Sequence, residues 1–287
     1  GDALTDADHN VVVGYAALSS DTLGSKSIAI GHAALQVQNF VTATNAYNVA
    51  VGYNAGQQIT TGVNNTIIGG LAGDALTTGH DNVAIGISAL STEDTGSETV
   101  AIGRSALFTQ NAGTVDTYNV AVGAAAGRLV TTGVQNTIIG GLAGDALTDA
   151  DNNVAIGQFA LSTDTLGSNS VAVGRAALIS QNFTTATDTY NTAVGYGAGY
   201  AVTTGTQNTL IGGLAGDSMT TGDSNVAVGY DSLSGAVTGD ANCSVGTSSG
   251  NALTSGNRNT MIGNIAGNNL TTADDFTGVG YGAGGTG

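Results

Sequence analysis

The sequence predicts an all-β fold, a parallel β-solenoid or β-roll of about 16 turns of about 17 residues, forming a single repeat domain over 1–287. A short apolar phrase closed by Gly, such as NVAVG or NTIIG, occurs sixteen times, and twelve of the fifteen intervals share one length. Pro, which cannot donate to a sheet ladder, is absent, and charged residues make up only 9% of the chain. Such a short fixed period is typical of solenoids, in which each repeat is one turn stacked on its neighbours.

Positions within a turn are numbered here from this repeat glycine, which is position 0. Position −1 is always Val or Ile, and position −3 is Val, Ile, Thr or, once, Cys243. Side chains alternate along a strand, so these two positions share one face, and their β-branched residues favour strand over helix. We predict that this face lines the inside of the coil. The repeat glycines are Gly14, Gly31, Gly52, Gly69, Gly86, Gly103, Gly123, Gly140, Gly157, Gly174, Gly195, Gly212, Gly229, Gly246, Gly263 and Gly280.

Three further positions predict local structure. Position +3 is always Ala or Ser, which indicates a place where only a small side chain fits. Position −4 is Asn in twelve turns, and stacked Asn side chains can form a hydrogen-bonded ladder. Position +10 is often Gly after a Thr pair, as at 60–62 and 131–133, which predicts a turn with a positive φ.

Position −2 is predicted to point outward, yet it is mostly Ala, with bulkier apolar residues in several turns. A strand that is apolar on both faces is usually covered on both. We therefore predict a parallel homotrimer about a threefold axis, the alternative being a lone solenoid with an exposed Ala-rich face. The trimer-interface candidates are Val12, Ala29, Ala50, Ile67, Ala84, Ala101, Ala121, Ile138, Ala155, Ala172, Ala193, Leu210, Ala227 and Met261.

A second, longer repeat groups the turns in fours. Position +4 runs Leu, Leu, Gly, Gly, which gives four long repeats of roughly 72 residues each, the last of them irregular. The three longer intervals contain the loops 36–48, 108–119 and 179–191. Their aromatic residues suit stacking on a host-surface glycan, or alternatively packing across chains to lock the trimer. These loop candidates are Phe40, Tyr47, Phe108, Tyr118, Phe183 and Tyr190.

Composition argues against several partners. The net charge is −16 and the five basic residues form no cluster, so we expect no binding to nucleic acid or to an anionic membrane surface. No apolar run of about 18 residues predicts membrane insertion.

No catalytic constellation stands out, so we predict that the chain is not an enzyme and needs no cofactor. GGLAGDALT at 69–77 and 140–148 approaches a calcium-binding nonapeptide, but its spacing differs and its copies are not consecutive. TDADHN at 5–10 is interpreted as a turn, the three His as surface residues, and Cys243 as a buried small residue. Polysaccharide lyases built on β-helices have a charged cleft that this sequence lacks. Ice binding is disfavoured because the Thr pairs precede glycine in turns.

The NVAVG, SVAVG and NVAIG phrases, each followed by Ala, resemble the head repeats of trimeric autotransporter adhesins. The longer NTAVGY and TTG phrases at 191–196 and 203–205 resemble the repeat shafts of phage tail fibres. The resemblance covers essentially the whole chain. It implies a left-handed coil in a homotrimeric extracellular fibre, on a virion tail or a bacterial surface, that presents or binds a host surface. It carries over no catalytic residues.

Overall fold

The computed structural model describes residues 1–284, and within that range the secondary structure is entirely β, without helix. The chain forms two compact units, Gly1–Leu142 and Ala143–Gly287. The predicted fold class is confirmed: the chain is a parallel β-solenoid of sixteen turns of about 17 residues. Coil handedness and the homotrimer remain predictions.

Each turn contributes one three-residue strand at positions −3 to −1. It pairs in parallel with the strand of the next turn, position for position, as when Val49 lies opposite Thr66. Two short ladders, β2 with β4 and β12 with β14, accompany longer loops. The N-terminal unit contains β1 (Val11–Val13), β2 (Gly24–Ser25), β3 (Ile28–Ile30), β4 (Thr44–Asn45), β5 (Val49–Val51), β6 (Thr66–Ile68), β7 (Val83–Ile85), β8 (Val100–Ile102), β9 (Val120–Val122) and β10 (Thr137–Ile139). The C-terminal unit contains β11 (Val154–Ile156), β12 (Gly167–Ser168), β13 (Val171–Val173), β14 (Thr187–Asp188), β15 (Thr192–Val194), β16 (Thr209–Ile211), β17 (Val226–Val228), β18 (Cys243–Val245), β19 (Thr260–Ile262) and β20 (Thr277–Val279).

The predicted orientation of the strands was wrong. Position −2 faces the interior of the coil, and positions −1 and −3 face outward. Alternation along a strand defines two faces but does not say which is inside, and here the narrow interior takes the smaller residue. The trimer-interface candidates are therefore core residues. Those with no exposed surface are Ala29, Ala50, Ile67, Ala84, Ala101, Ala121, Ile138, Ala155, Ala172, Ala193, Leu210, Ala227 and Met261, and Val12 is half-buried.

Complementary volumes at positions −2 and +4 fill the interior. Where position −2 is bulky, as at Ile67, position +4 is Gly73, and a Cβ there would lie only 3.0 Å from the Cδ1 methyls of Ile67 and Leu76. Where position −2 is Ala84, position +4 is Leu90, and both are fully buried. Where both positions are small, as at Ala50 and Gly56, other side chains fill the space: a Cβ on Gly56 would lie 2.9 Å from Ile59 Cδ1 and 3.2 Å from Leu35 Cδ2. The Leu, Leu, Gly, Gly rhythm is therefore part of the packing of the core.

The predicted Asn ladder is confirmed. Asn48 Oδ1 accepts from the backbone N–H of Asn65 in the next turn at 2.9 Å, and Asn48 Nδ2 donates to the carbonyl of Gly62 at 2.7 Å. The glycine at position +10 has a different role from the predicted one, because Gly62 and Gly79 do not have a positive φ. A Cβ on Gly62 would instead overlap the carbonyl oxygen of Gly79 in the next turn.

The corners of the coil use left-handed backbone at three non-adjacent positions, −5, +2 and +4. Leu35 and Leu90 adopt φ values of 49° and 53° at position +4, and Tyr47 has φ 51° at position −5. The fold thus accepts ordinary side chains in a conformation that usually favours glycine. The glycines that share position +4 with Leu were the sign of this backbone in the sequence.

Candidate interaction surface

The feature that stands out on the surface is the outward side of the strands, which we call the outer strand face. It consists of positions −3 and −1 in every turn. Position −1 is Val or Ile throughout, position −3 is Val, Ile, Thr or Cys, and neither column contains a charged residue. Because position −2 already fills the core, each strand is apolar on both sides.

The outer strand face is accessible within each unit. Ile68 and Ile139 are each 37% exposed, and Ile211 is 40% exposed. Eight strands about 4.8 Å apart give each unit a face roughly 34 Å long, with an area on the order of 350 Å². That value lies in the range of the largest apolar patch on a typical monomeric protein, and such patches usually mark interaction sites. Each unit alone therefore carries a surface suited to binding another macromolecule.

Aromatic residues at position +1 border this face, and sequence reasoning missed them. His32 lies between Tyr15 and Tyr53, with ring centroids 5.3 and 5.2 Å apart and nearly parallel planes. The Arg175 guanidinium lies 5.7 Å from the centre of the Tyr196 ring. Their spacing by one turn was the signal that could have found them.

The loop candidates separate into two groups. Phe40 and Phe183 are buried, at 5% and 7% exposed, so the prediction that they are exposed was wrong. Their backbone N–H groups bond to buried carboxylates, which draws both rings into the core. Phe108 does not occupy the equivalent place and is 37% exposed.

The loop tyrosines remain on the surface. Tyr47, Tyr118 and Tyr190 are between 50% and 56% exposed. Lys26 Nζ lies 5.1 Å from the centre of the Tyr47 ring and donates to its hydroxyl at 3.1 Å, so one side of that ring is occupied. The three tyrosines occupy the same position, −5, in their turns.

Within residues 1–284 no three His, Cys, Asp or Glu side chains lie close enough to hold a metal ion, and no enclosed pocket is found. Cys243 is half-buried on the outer strand face, so the prediction that it is a core residue was wrong. The Thr hydroxyls at position +8 donate to carbonyls of the next turn, as Thr60 does to Thr77 at 3.1 Å, so they are used within the fold.

Asp217 is a half-buried carboxyl close to a second acidic residue. Partial burial, with a smaller contribution from the neighbouring charge of Asp231, raises the pKa of Asp217 above its ordinary value. This shift indicates that acidic side chains are crowded at this place on the surface.

Comparison with known proteins assigns no family. Neither a protein-family model nor a curated protein sequence matches the chain. The part of the chain that the structure describes contains no helix long and apolar enough to cross a membrane. The outer strand face therefore remains the basis for a functional proposal.

Proposed function

We propose that this chain is the structural shaft of a homotrimeric phage tail fibre, which supports or contributes to host-surface attachment. The observation that carries the proposal is the outer strand face, which is apolar in every turn and uncovered within each unit. The resemblance of the repeats to tail-fibre shafts and to trimeric adhesin heads supports the same architecture. The predicted trimer is retained, but with the opposite side of the strand at its interface.

The chemistry of the face favours other copies of the chain as the occupant. Position −1 of the face is Val or Ile in every turn and recurs once per turn, so a second copy of the chain presents the same residues at the same spacing. A chain with net charge −16 keeps its carboxylates off this face, so close approach of two faces buries none of them there. Interface cores are typically depleted in charge, as this one is.

A pair of variants tests the proposal. Ile85→Lys with Val122→Lys places two charges on the outer strand face, and Gln58→Lys with Thr78→Lys places two charges at exposed positions elsewhere. We expect the face variant to lose the trimer, because each interface would bury unpaired charge. The control variant should keep it.

The readouts are mass by light scattering and β-sheet content by circular dichroism. The expected result is a folded monomer for the face variant and three times the 27.9 kDa chain mass for the control. Equal masses for both variants would contradict the proposed interface.

A further inference from the structure

Three turns contain a buried carboxylate where neighbouring turns have Ile, Leu or Val. The position is +7, and the residues are Asp21, Glu93 and Asp164, each with no exposed surface. In each case the following turn has a buried Gln at the same position. A buried charge is costly unless it is paired or hydrogen-bonded. These three places therefore need an explanation that the packing of the other turns does not supply.

In the C-terminal unit the carboxylate of Asp164 is fully occupied. Oδ1 accepts from the backbone N–H of Gly167 at 3.1 Å and from that of Phe183 at 3.0 Å. Oδ2 accepts from Gln181 Nε2 at 2.6 Å. One carboxylate thus bonds to its own turn and to two residues of the next.

Gln181 continues the network in a fixed direction. Its Nε2 also donates to Ser170 Oγ at 2.9 Å, and its Oε1 accepts from Asn191 Nδ2 at 2.9 Å. Ser170 occupies position −4, where most turns have Asn, and its shorter side chain leaves room for the Gln. The same exception occurs at Ser27 and Thr99, beside the other two Gln residues.

The N-terminal unit repeats the arrangement twice. Gln38 Nε2 donates to Asp21 at 2.6 Å, and Gln110 Nε2 donates to Glu93 at 3.1 Å. Glu93 is longer than Asp by one methylene. It lies beside Ala112, whereas the other two networks have a phenylalanine at this position, and Glu93 Oε2 accepts from the Ala112 N–H at 3.3 Å. The network is thus kept while its parts change in size.

We infer that these carboxylate–glutamine networks set the register of the coil, which means that they determine which turn stacks on which. Most turns are nearly alike, so if one turn loops out, its two neighbours can stack directly on each other with nearly native packing between them. Lengthening a loop adds only slowly to the entropy of closing it. Near-identical repeats therefore need a feature that penalises such a slip.

The networks supply that penalty. If the turn containing Gln181 looped out, Asp164 would stack on Val202, which occupies position +7 of the following turn. The carboxylate would lose the Gln181 and Phe183 donors and remain buried. Leaving a buried polar group unpaired is far costlier than the net gain from pairing it.

Stability alone does not account for the networks. Neighbouring turns fill position +7 with Ile59 and Leu76 and have Gly at position +4, so the coil accepts an apolar residue at +7 when position +4 is small. Replacing buried polar groups with apolar ones of similar volume is often neutral or stabilising. The networks add specificity, because they favour the correct neighbouring turn over any other as the stacking partner. The inference does not depend on the trimer.

A crosslinking experiment on the full chain tests this. Cys243→Ser removes the native thiol, and the substitutions Val173→Cys and Ile211→Cys report the slip. Both positions lie on the outer strand face, and Val194 lies between them in the native register. In the native register the Cα atoms of positions 173 and 211 are two strands apart, about 9–10 Å, which is beyond the reach of a disulfide. A slip that removes the intervening turn brings these two Cα atoms to about 4.8 Å.

The network is removed by Asp164→Leu, Ser170→Asn and Gln181→Leu. Leu161 and Leu178 stay at position +4, where turns with a large apolar residue at position +7 have Gly, so folding of this variant is checked first. After unfolding and refolding under mild oxidation, we expect the intrachain crosslink between positions 173 and 211 to rise roughly tenfold or more over the chain with its network intact. The pair Val173→Cys with Val194→Cys serves as the control and should crosslink in both backgrounds.

An unchanged crosslink between positions 173 and 211 in a folded triple variant would overturn the inference. If circular dichroism shows that the triple variant does not fold, Asp164→Asn replaces it. Asn has nearly the volume of Asp, but its NH2 group would face the NH2 group of Gln181, so the hydrogen bond between them is lost. A rise in the crosslink then supports the inference, and an unchanged crosslink overturns it.

Discussion

The interior packing makes a quantitative prediction about Ile67 and Gly73. Ile67→Ala removes three buried carbons, which at about 0.8 kcal/mol each gives roughly 2.4 kcal/mol before the cavity adds its own cost. Gly73→Leu alone overpacks the core, since even a Cβ there lies 3.0 Å from two methyl groups, and it should cost about 1–3 kcal/mol or more. Together the two changes give the Ala and Leu pairing found at Ala84 and Leu90, except that Leu76 stays where that turn has Glu93.

The double variant should therefore be more stable than Gly73→Leu alone, because one of the two close methyl groups is removed. The backbone is not an obstacle, because Leu35 and Leu90 already adopt the φ that Gly73 adopts at 48°. We expect a favourable coupling of about 2 kcal/mol or more, within the range seen for residues in contact.

The assay is native-state hydrogen exchange of the amides in Thr66–Ile68, which reports the local opening free energy in a repeat protein. Gln58→Ala, an exposed change in the neighbouring turn, is the control and should shift that free energy by less than about 0.5 kcal/mol. Additive effects of the two core changes would refute the packing account. A negligible effect of Ile67→Ala would refute the inward orientation of position −2.

Other predictions follow from single contacts. Phe183→Ala should lower the free energy of unfolding by about 3–5 kcal/mol, whereas Tyr190→Ala should change it by less than about 0.5 kcal/mol, by denaturant titration. Gly79→Ala should lower the melting temperature although the φ of Gly79 is not positive, because the new Cβ would overlap the backbone of the next turn. An unchanged melting temperature would contradict this. Asp217→Asn should stabilise at neutral pH. The pKa of Asp217 is raised in the folded state, so ionisation of Asp217 destabilises the fold above that pKa. The stability advantage of the Asn variant should therefore disappear below the ordinary Asp pKa of 3.8, where Asp217 is protonated in both states. Melting curves across pH that show a constant difference would exclude this cause.

Much of the fold could be predicted from the sequence because the repeat is regular. The sixteen turns, the strand at positions −3 to −1 and the Asn ladder all follow from period and residue type. The orientation of the strand did not follow, since Val51 and Ala50 are both apolar. The larger side chains at position −1 indicated that this face is buried. In the structure, the interior beside Ala50 is instead filled by side chains from other positions of the turn, such as Ile59.

The surface was only partly predictable. The loops were recognised from their length, but nothing local distinguished Phe183, which is drawn inward by Asp164, from Tyr190, which stays exposed. The buried networks were hidden because Asp and Gln are ordinary surface residues. Their signal was the replacement of Asn by Ser27, Thr99 and Ser170, which becomes meaningful only when the turns are stacked.

The solution mass of the intact chain, by light scattering, tests the central claim most directly. The account predicts three times 27.9 kDa, because the outer strand face would be buried between copies. A mass of 27.9 kDa at micromolar concentration would contradict it, and a lone solenoid with an exposed Val and Ile face would replace the fibre shaft.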